Sequence, residues 1–316
     1  MSFSYREERR GERVLDVLTN EETGVRFVVS RLGAELISLA RRNGKEWVGY
    51  LHRDDDLSPA AQGWGNHSTV MGYFLHRLKD GRSVYRGQEI AGGTHSFLRG
   101  KEWRVDANAA GNGRLAYEIT QADFTSSEYP LNVSLTLSYE LSGESVHVAF
   151  HFRNHERELA AHVGFGLHPG FAATAGAPLS FTMPAGTYRR HFSPNNYLAG
   201  ETQTFFFAGG QMPVDEKKLP GSFILELVDV PKRIFNFADK ATGRTIDLDL
   251  SEVPYLTLWS DGGPFLCVEP CWGLTDHDEQ RPFENKEGIH VIAAGGELRR
   301  SFTMTPRLSP ETAQMA

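Results

Sequence analysis

The sequence is poor in the features that mark several specialised classes of protein. Only two of its 316 residues are cysteines, which is too few for a disulfide framework. No apolar run approaches the roughly 20 residues that span a bilayer, and the charged N-terminus does not resemble a signal peptide. We therefore expect a cytoplasmic protein without a membrane partner.

Basic residues are also scarce, with 33 Lys and Arg against 40 Asp and Glu, so the formal charge at pH 7 is −7. A mildly acidic chain without a basic block is not expected to bind nucleic acid. Glycine-rich phosphate loops and the Gly-x-Ser-x-Gly signature of serine hydrolases are missing as well. The sequence therefore does not support nucleotide binding or serine-dependent hydrolysis, and we predict no cofactor.

Short runs of alternating apolar and polar residues are abundant. Apolar side chains occupy every second position over 133–141 and over 146–152, on either side of a Ser-Gly-Glu turn. This spacing predicts a β-hairpin with one buried face. Further strands are predicted at 25–29, 35–39, 223–227, 234–237, 245–250, 255–259, 265–268 and 298–304.

Helical periodicity never extends beyond about two turns, although 53–62 and 215–219 are candidates for single helical turns. Strands at this density, without helices between them, predict an all-β antiparallel sandwich or barrel. No linker or repeat divides the chain. We predict one domain over 1–316, with 1–12 and 306–316 as peripheral arms.

Two histidines lie in segments that favour a functional role. His95 lies in a loop with glycines on both sides, so the backbone there can approach a ligand closely. His168 lies in a Gly-Phe-Gly-Leu-His-Pro-Gly-Phe segment, which predicts an imidazole in a tight, partly apolar pocket. For each histidine a purely structural role is the alternative.

Glu269 ends an apolar run and is followed by Pro270. A carboxylate at the end of a buried strand is costly unless it is paired, and burial raises its pKa toward the range of a general base. A salt-bridged strand end is the alternative. No local metal-binding pattern surrounds these residues, and Cys267 and Cys271 lack a second cysteine pair, so we predict no metal and two inert, buried thiols.

Six segments, taken in order, resemble the aldose 1-epimerase (galactose mutarotase) family over nearly the whole chain. Each is a weak signal alone, whereas the ordered set is specific. The segments are Gly33–Leu39 with Gly44–Trp47, Arg77-Leu78, Thr94–Arg99, Gly166–Phe171, Val253–Trp259 and Phe265–Pro270.

The resemblance implies a large antiparallel β-supersandwich and an isomerase that interconverts the α and β anomers of a free monosaccharide. In that family a Glu takes the proton of the anomeric hydroxyl while a His protonates the ring oxygen. Carried over, Glu269 is the base and His168 the acid, and we expect the Glu269 carboxylate to raise the His168 pKa. His95 would lie beside the sugar. Substrate contacts are expected from Arg77, His76 and Arg99, and from rings that include Trp272, Phe171 and Trp103.

The chain departs from the family pattern near Phe223, where an acidic residue is usual, near Thr257, where Gln is usual, and at Ser96, where Gly is usual. Galactose is therefore not implied as the preferred sugar. Two alternatives stay open. One is a hexose-6-phosphate mutarotase with a phosphate clamp at Arg189-Arg190 or at Arg99 with Lys101. The other is a sugar-binding homologue without activity. A monomer and a homodimer are both compatible with the sequence.

Overall fold

The protein, described by a computed structural model over residues 2–177, 180–213 and 222–308, is built almost entirely of antiparallel strands. The strands are β1 Phe3–Arg10, β2 Arg13–Asn20, β3 Val25–Ser30, β4 Glu35–Asn43, β5 Glu46–Gly49, β6 Ser68–Tyr73, β7 Arg82–Tyr85, β8 Gln88–Ala91, β9 Arg104–Asp106, β10 Arg114–Ile119, β11 Val133–Ser142, β12 Ser145–Asn154, β13 Ala161–Ala172, β14 Ser180–Met183, β15 Gly186–His191, β16 Thr202–Phe207, β17 Gly210–Pro213, β18 Phe223–Asp229, β19 Ile234–Asp239, β20 Arg244–Asp249, β21 Tyr255–Trp259, β22 Phe265–Trp272, β23 His290–Ile292 and β24 Glu297–Leu308.

Helical structure in the described ranges is limited to single 3-10 turns. These are Lys79–Gly81, Leu98–Gly100, Ala110–Asn112, Gln121–Asp123, Pro194–Asn196 and Phe283–Asn285. The predicted turn at 53–62 is wrong, because that segment forms bends and hydrogen-bonded turns without a helix. The predicted turn at 215–219 lies outside the described residues.

The strands form two large sheets and two smaller ones. A nine-stranded sheet runs β17-β14-β19-β20-β24-β12-β11-β10-β9. An eight-stranded sheet runs β16-β15-β18-β21-β22-β13-β23, with β6 also paired to β13. A five-stranded sheet, β1 to β5, and the β7-β8 hairpin complete the fold. The all-β antiparallel prediction is confirmed, and so is the hairpin of β11 and β12.

Aromatic side chains fill the space between the two large sheets. Phe150 of the nine-stranded sheet contacts Phe165 and Trp272 of the eight-stranded sheet, with ring centroids 5.2 and 5.8 Å apart. All three side chains are buried. Burial of large rings contributes several kcal/mol in total at about 25 cal/mol per Å². One face of the eight-stranded sheet is therefore buried in this core, and its other face is available for a functional site.

Both ends of the described range lie in strands that extend into the segments expected as arms. Phe3–Arg10 was expected as a peripheral arm but forms the edge strand β1, paired with β2 along its whole length. The alternation of an ordinary strand is missing there because most β1 side chains are exposed. Instead Tyr5 donates a hydrogen bond to the buried Asp16 carboxylate at 2.8 Å. At the other end, residues 306–308 complete β24, and 309–316 lie outside the described residues.

Candidate active site

His168 and Glu269 come together because two neighbouring strands carry them in register. In the antiparallel pair of β13 and β22, Gly166 lies opposite Cys271 and Gly170 opposite Cys267. His168, midway along β13, is therefore opposite Glu269, and side chains at opposed positions project from the same face of a sheet. Thr257 of β21 continues this row beyond Glu269.

The two side chains form a buried pair. His168 Nε2 lies 3.2 Å from Glu269 Oε1, and the side chains are only 6% and 1% exposed. Two of their polar atoms, His168 Nδ1 and Glu269 Oε2, are buried without a hydrogen-bond partner among the described residues. Such orphaned atoms carry a desolvation cost that a ligand supplying a hydrogen-bond partner would relieve.

Burial sets the charge of this pair. It raises the pKa of Glu269 well above its usual value, as the sequence predicted. It also lowers the pKa of His168 to about 4, so the expectation that Glu269 would raise the pKa of His168 is wrong. The physical reason is that removal from water penalises the imidazolium more than a backbone hydrogen bond and the Glu35 carboxylate stabilise it. Both shifts favour the uncharged form of the pair, with the proton on Glu269.

Two further imidazoles lie on the loops beside this pair. The His95 ring is 4.9 Å from the His168 ring in an edge-on contact, and the His76 ring is 5.5 Å from that of His95. A 2.7 Å hydrogen bond from the His95 amide to the His76 carbonyl fixes the two loops together. Both residues and Ser96 have left-handed backbone conformations, with φ of 53°, 64° and 68°. Such strained residues cluster at functional sites.

A cavity of about 300 Å³ opens over the pair. Its lining includes His76, His95, Arg77 and Arg99, so the structure brings together six of the eight residues predicted for the site. The guanidinium groups of Arg77 and Arg99 make no ion pair with any carboxylate in the described ranges. Further polar groups on the wall are Asn66, Thr94, Ser193, Asn196, Ser222 and Thr275.

The aromatic residues predicted to stack on a sugar lie elsewhere. Trp272 is fully buried and stacks on Phe165 at 5.1 Å, and Phe171 is fully buried and stacks on Phe237 at 5.9 Å. Trp103 is buried as well. Strand geometry explains the correction. Trp272 and Phe171 are each an odd number of positions from Glu269 and His168, so they point to the opposite face of the sheet.

The cavity has its own aromatic wall, which was not predicted from the sequence. Trp64 stacks on His168 with ring centroids 5.1 Å apart, and Trp259 lies 6.1 Å from Trp64. A Cβ at Gly170 would collide with the Trp64 ring, so the glycine makes room for this ring. Trp259 could have been predicted, because it is two positions from Thr257 on β21 and therefore faces the same side of the sheet. Trp64 lies in a loop, where no such periodicity exists.

Three of the predicted phosphate-clamp side chains are engaged elsewhere. Arg189 is 2.8 Å from Glu226, and Lys101 is 2.9 Å from Glu128. The Arg190 guanidinium lies over the Phe192 ring at 4.4 Å. Of the proposed clamp only Arg99 lines the cavity. Where the family usually has an acidic residue, Ser222 and Ile224 form the wall.

Solved structures share this architecture. A galactose mutarotase related enzyme from Lactobacillus acidophilus superposes with a TM-score of 0.80 at 20% identity, over 96% of this chain and 97% of its own. A galactose mutarotase-like protein from Lactobacillus casei gives 0.78 at 20% identity, over 96% and 100%. A galactose 1-epimerase from Lactobacillus acidophilus gives 0.68 at 11% identity, over 97% and 99%. The fold is thus that of the galactose mutarotase-like β proteins.

The family follows from the sequence pattern itself. Residues 16–265 match the aldose 1-epimerase family, and this range covers well over half of the chain. The protein therefore belongs to the aldose 1-epimerase family, as its ordered motifs indicated. A search of curated proteins finds no match. No helix in the described ranges is long and apolar enough to cross a membrane.

Proposed function

We propose that the protein interconverts the α and β anomers of a free aldose by opening and closing the sugar ring. The observation that carries this proposal is the buried contact of 3.2 Å between His168 Nε2 and Glu269 Oε1 at the wall of the cavity. Ring opening removes a proton from one oxygen of a hemiacetal and delivers one to another. A base and an acid on one rigid sheet can perform both transfers, each worth about 10²–10⁴ in rate.

The proton balance of the pair suits a reversible reaction. In the reactive form Glu269 is ionised and His168 protonated. Glu269 takes the proton of the anomeric hydroxyl while His168 gives its proton to the ring oxygen. The open-chain aldehyde then faces a protonated Glu269 and a neutral His168, which is the arrangement that burial favours. After the aldehyde rotates, the same two transfers run backwards and close the ring on its other face.

The surrounding groups have complementary roles in this proposal. His95 is held in its neutral form, because burial and the neighbouring His168 and His76 depress its pKa well below the usual value. A neutral imidazole can accept a hydrogen bond from a sugar hydroxyl or donate one. Trp64 and Trp259 offer apolar faces to the ring carbons, and Arg77 offers donors to the hydroxyls. No step needs a redox cofactor.

The test is anomer exchange of several aldoses, followed by polarimetry or NMR. We expect wild-type protein to accelerate exchange above the buffer rate. The Glu269→Gln variant should lose about 10²–10⁴ of that acceleration because Gln cannot accept the proton. A folded wild-type protein that binds sugars without accelerating any of them would instead identify a non-catalytic binding protein.

A phosphorylated aldose is the second candidate substrate. The cavity exposes Arg77 and Arg99 without a carboxylate partner among the described residues, and Glu269, neutral in the resting pair, is the only acidic residue of its lining. Unpaired guanidinium groups favour an anionic substituent on the sugar, since they bind phosphate in a bidentate manner.

Arg99→Gln separates the two substrates. It should raise the KM for an aldose 6-phosphate by about tenfold or more and change that for the unmodified aldose little. Arg190→Gln is the matched control, because that guanidinium lies over aromatic rings and does not line the cavity. Equal effects on both sugars would restrict the substrate to neutral aldoses.

A further inference from the structure

A thiol lies beside the proposed catalytic carboxyl. Alternation along β22 puts Cys267, Glu269 and Cys271 on the same face of the strand. Cys271 is fully buried, and its Sγ is 3.8 Å from Nε2 of His76. The sulfur, one ring nitrogen of His76 and one carboxyl oxygen of Glu269 all lie within 4.8 Å of one another.

These three donors suit a transition metal of intermediate softness. Zinc binds sulfur at about 2.3 Å and nitrogen or oxygen at about 2.0–2.2 Å, in tetrahedral geometry. Those bond lengths separate neighbouring ligand atoms by about 3.3–3.6 Å. The sulfur–nitrogen distance of 3.8 Å is already close to this separation, and the separations of up to 4.8 Å within the cluster would have to shorten by about 1 Å.

The donor side chains are also fixed in position and accessible from the cavity. His76 is fixed by its left-handed backbone and by the hydrogen bond from the His95 amide to its carbonyl. The Nε2 atom of His76 faces the Cys271 sulfur, and an imidazole nitrogen is a common metal ligand. His76 and Glu269 both line the cavity, through which an ion can enter. Glu269 Oε2 has no partner in the described part of the chain.

We propose that His76, Cys271 and Glu269 form a binding site for zinc or a similar thiophilic divalent cation, with the fourth coordination position open to the cavity. This site goes against the expectation of inert thiols and no metal. Binding releases the protons of the Cys271 thiol and the Glu269 carboxyl to solvent, and the ion then occupies the carboxylate that the proposed epimerisation needs. Zinc therefore acts as a reversible inhibitor. Binding itself is independent of the proposed function, whereas the inhibition rests on it.

Binding is tested with tag-free protein and the metals alone. Titration with Co²⁺, a spectroscopic substitute for zinc, should produce one equivalent of a thiolate-to-metal charge-transfer band. Calorimetry should give one zinc site per chain in wild-type protein. Cys271→Ser should abolish the band and weaken zinc binding by at least about tenfold.

Cys267→Ser is the matched control, because Cys267 is equally buried on the same face of β22 but outside the donor cluster. It should keep both the band and the affinity. Equal losses in the two variants, or no thiolate band in wild-type protein, would overturn the proposal.

A second measurement on wild-type protein does not depend on whether the variants fold. X-ray absorption of the zinc-loaded protein should show one sulfur at about 2.3 Å, with nitrogen and oxygen at about 2.0–2.2 Å. A first shell without sulfur would overturn the site. Zinc binding without any change in anomer exchange would leave the site intact and count against the role of Glu269 as the base.

Discussion

The two faces of β13 and β22 differ sharply, although the same two strands supply both. On one face, Phe165 and Trp272 stack within the core between the large sheets. On the other face, His168 and Glu269 are equally buried but leave two polar atoms without hydrogen-bond partners in the part of the chain that the structure describes. The core face carries closely packed aromatic rings. The cavity face carries the proposed acid–base pair and the polar atoms just described. Alternation along a strand thus lets one pair of strands stabilise the fold and carry the site.

The largest expected effects separate the two faces. Trp272→Ala should destabilise the protein by about 3–5 kcal/mol, because it removes a large ring from a closely packed core. Glu269→Gln should change the free energy of unfolding by no more than about 1 kcal/mol, because Gln has nearly the same shape and needs no ionisation. Urea unfolding measures both. A Glu269→Gln variant as unstable as Trp272→Ala would show that the pair is structural.

Glycines on the cavity face give the next largest effect. A Cβ at Gly166 would collide with the Pro270 carbonyl oxygen of β22, whereas a Cβ at Gly164 would meet its nearest neighbours at ordinary distances of 3.7–3.9 Å. Gly166→Ala should therefore cost about 1–3 kcal/mol of stability and also lower anomer exchange, because it pushes β13 away from β22 near His168. Gly164→Ala, on the same strand and face, is the control. Equal effects of the two changes would show that strand spacing does not matter here.

A pH-dependent effect of smaller size is expected from a histidine beside the core face. His290 of β23 lies 5.9 Å from the Phe165 ring, and burial, helped by Arg300, lowers its pKa to about 4. In the unfolded chain this pKa is about 6.5, so between pH 6.5 and 4 the unfolded state binds the extra proton. Its contribution to stability is complete above pH 6.5 and is lost as the pH falls.

His290→Gln should reduce the loss of unfolding free energy between pH 7 and pH 5 by about 1–2 kcal/mol. The comparison is with His147→Gln, the same substitution on the outer face of β12 and away from the Phe165 ring. Unfolding in urea at the two pH values measures the effect. If the unfolding free energy of His290→Gln falls between pH 7 and pH 5 as much as that of wild-type protein, the His290 ring has the same pKa in the folded and the unfolded chain.

The strands that were predicted correctly are those in which apolar residues recur at every second position. The strand at Tyr255–Trp259 has the bounds that the pattern predicts, and the β11-β12 hairpin agrees closely. β13 was not predicted as a strand, because its glycines and proline interrupt the alternation of apolar and polar residues. His168 and Phe171 nevertheless point to opposite faces, as their odd spacing in a strand requires. β1 was missed for another reason: a solvated edge strand has no buried face to mark it.

The sequence by itself determined the all-β class, the family and the residue types of the acid–base pair, because periodicity and ordered motifs are local properties of the chain. Only the tertiary structure decided which aromatic rings border the cavity, which cavity cations have no carboxylate partner within the described ranges, and which protonation state of the pair burial favours. These depend on strand register, on Trp64 reaching over Gly170, and on burial. Burial is a property of the assembled sheets, which is why it overrode the charge that local reasoning assigned to His168.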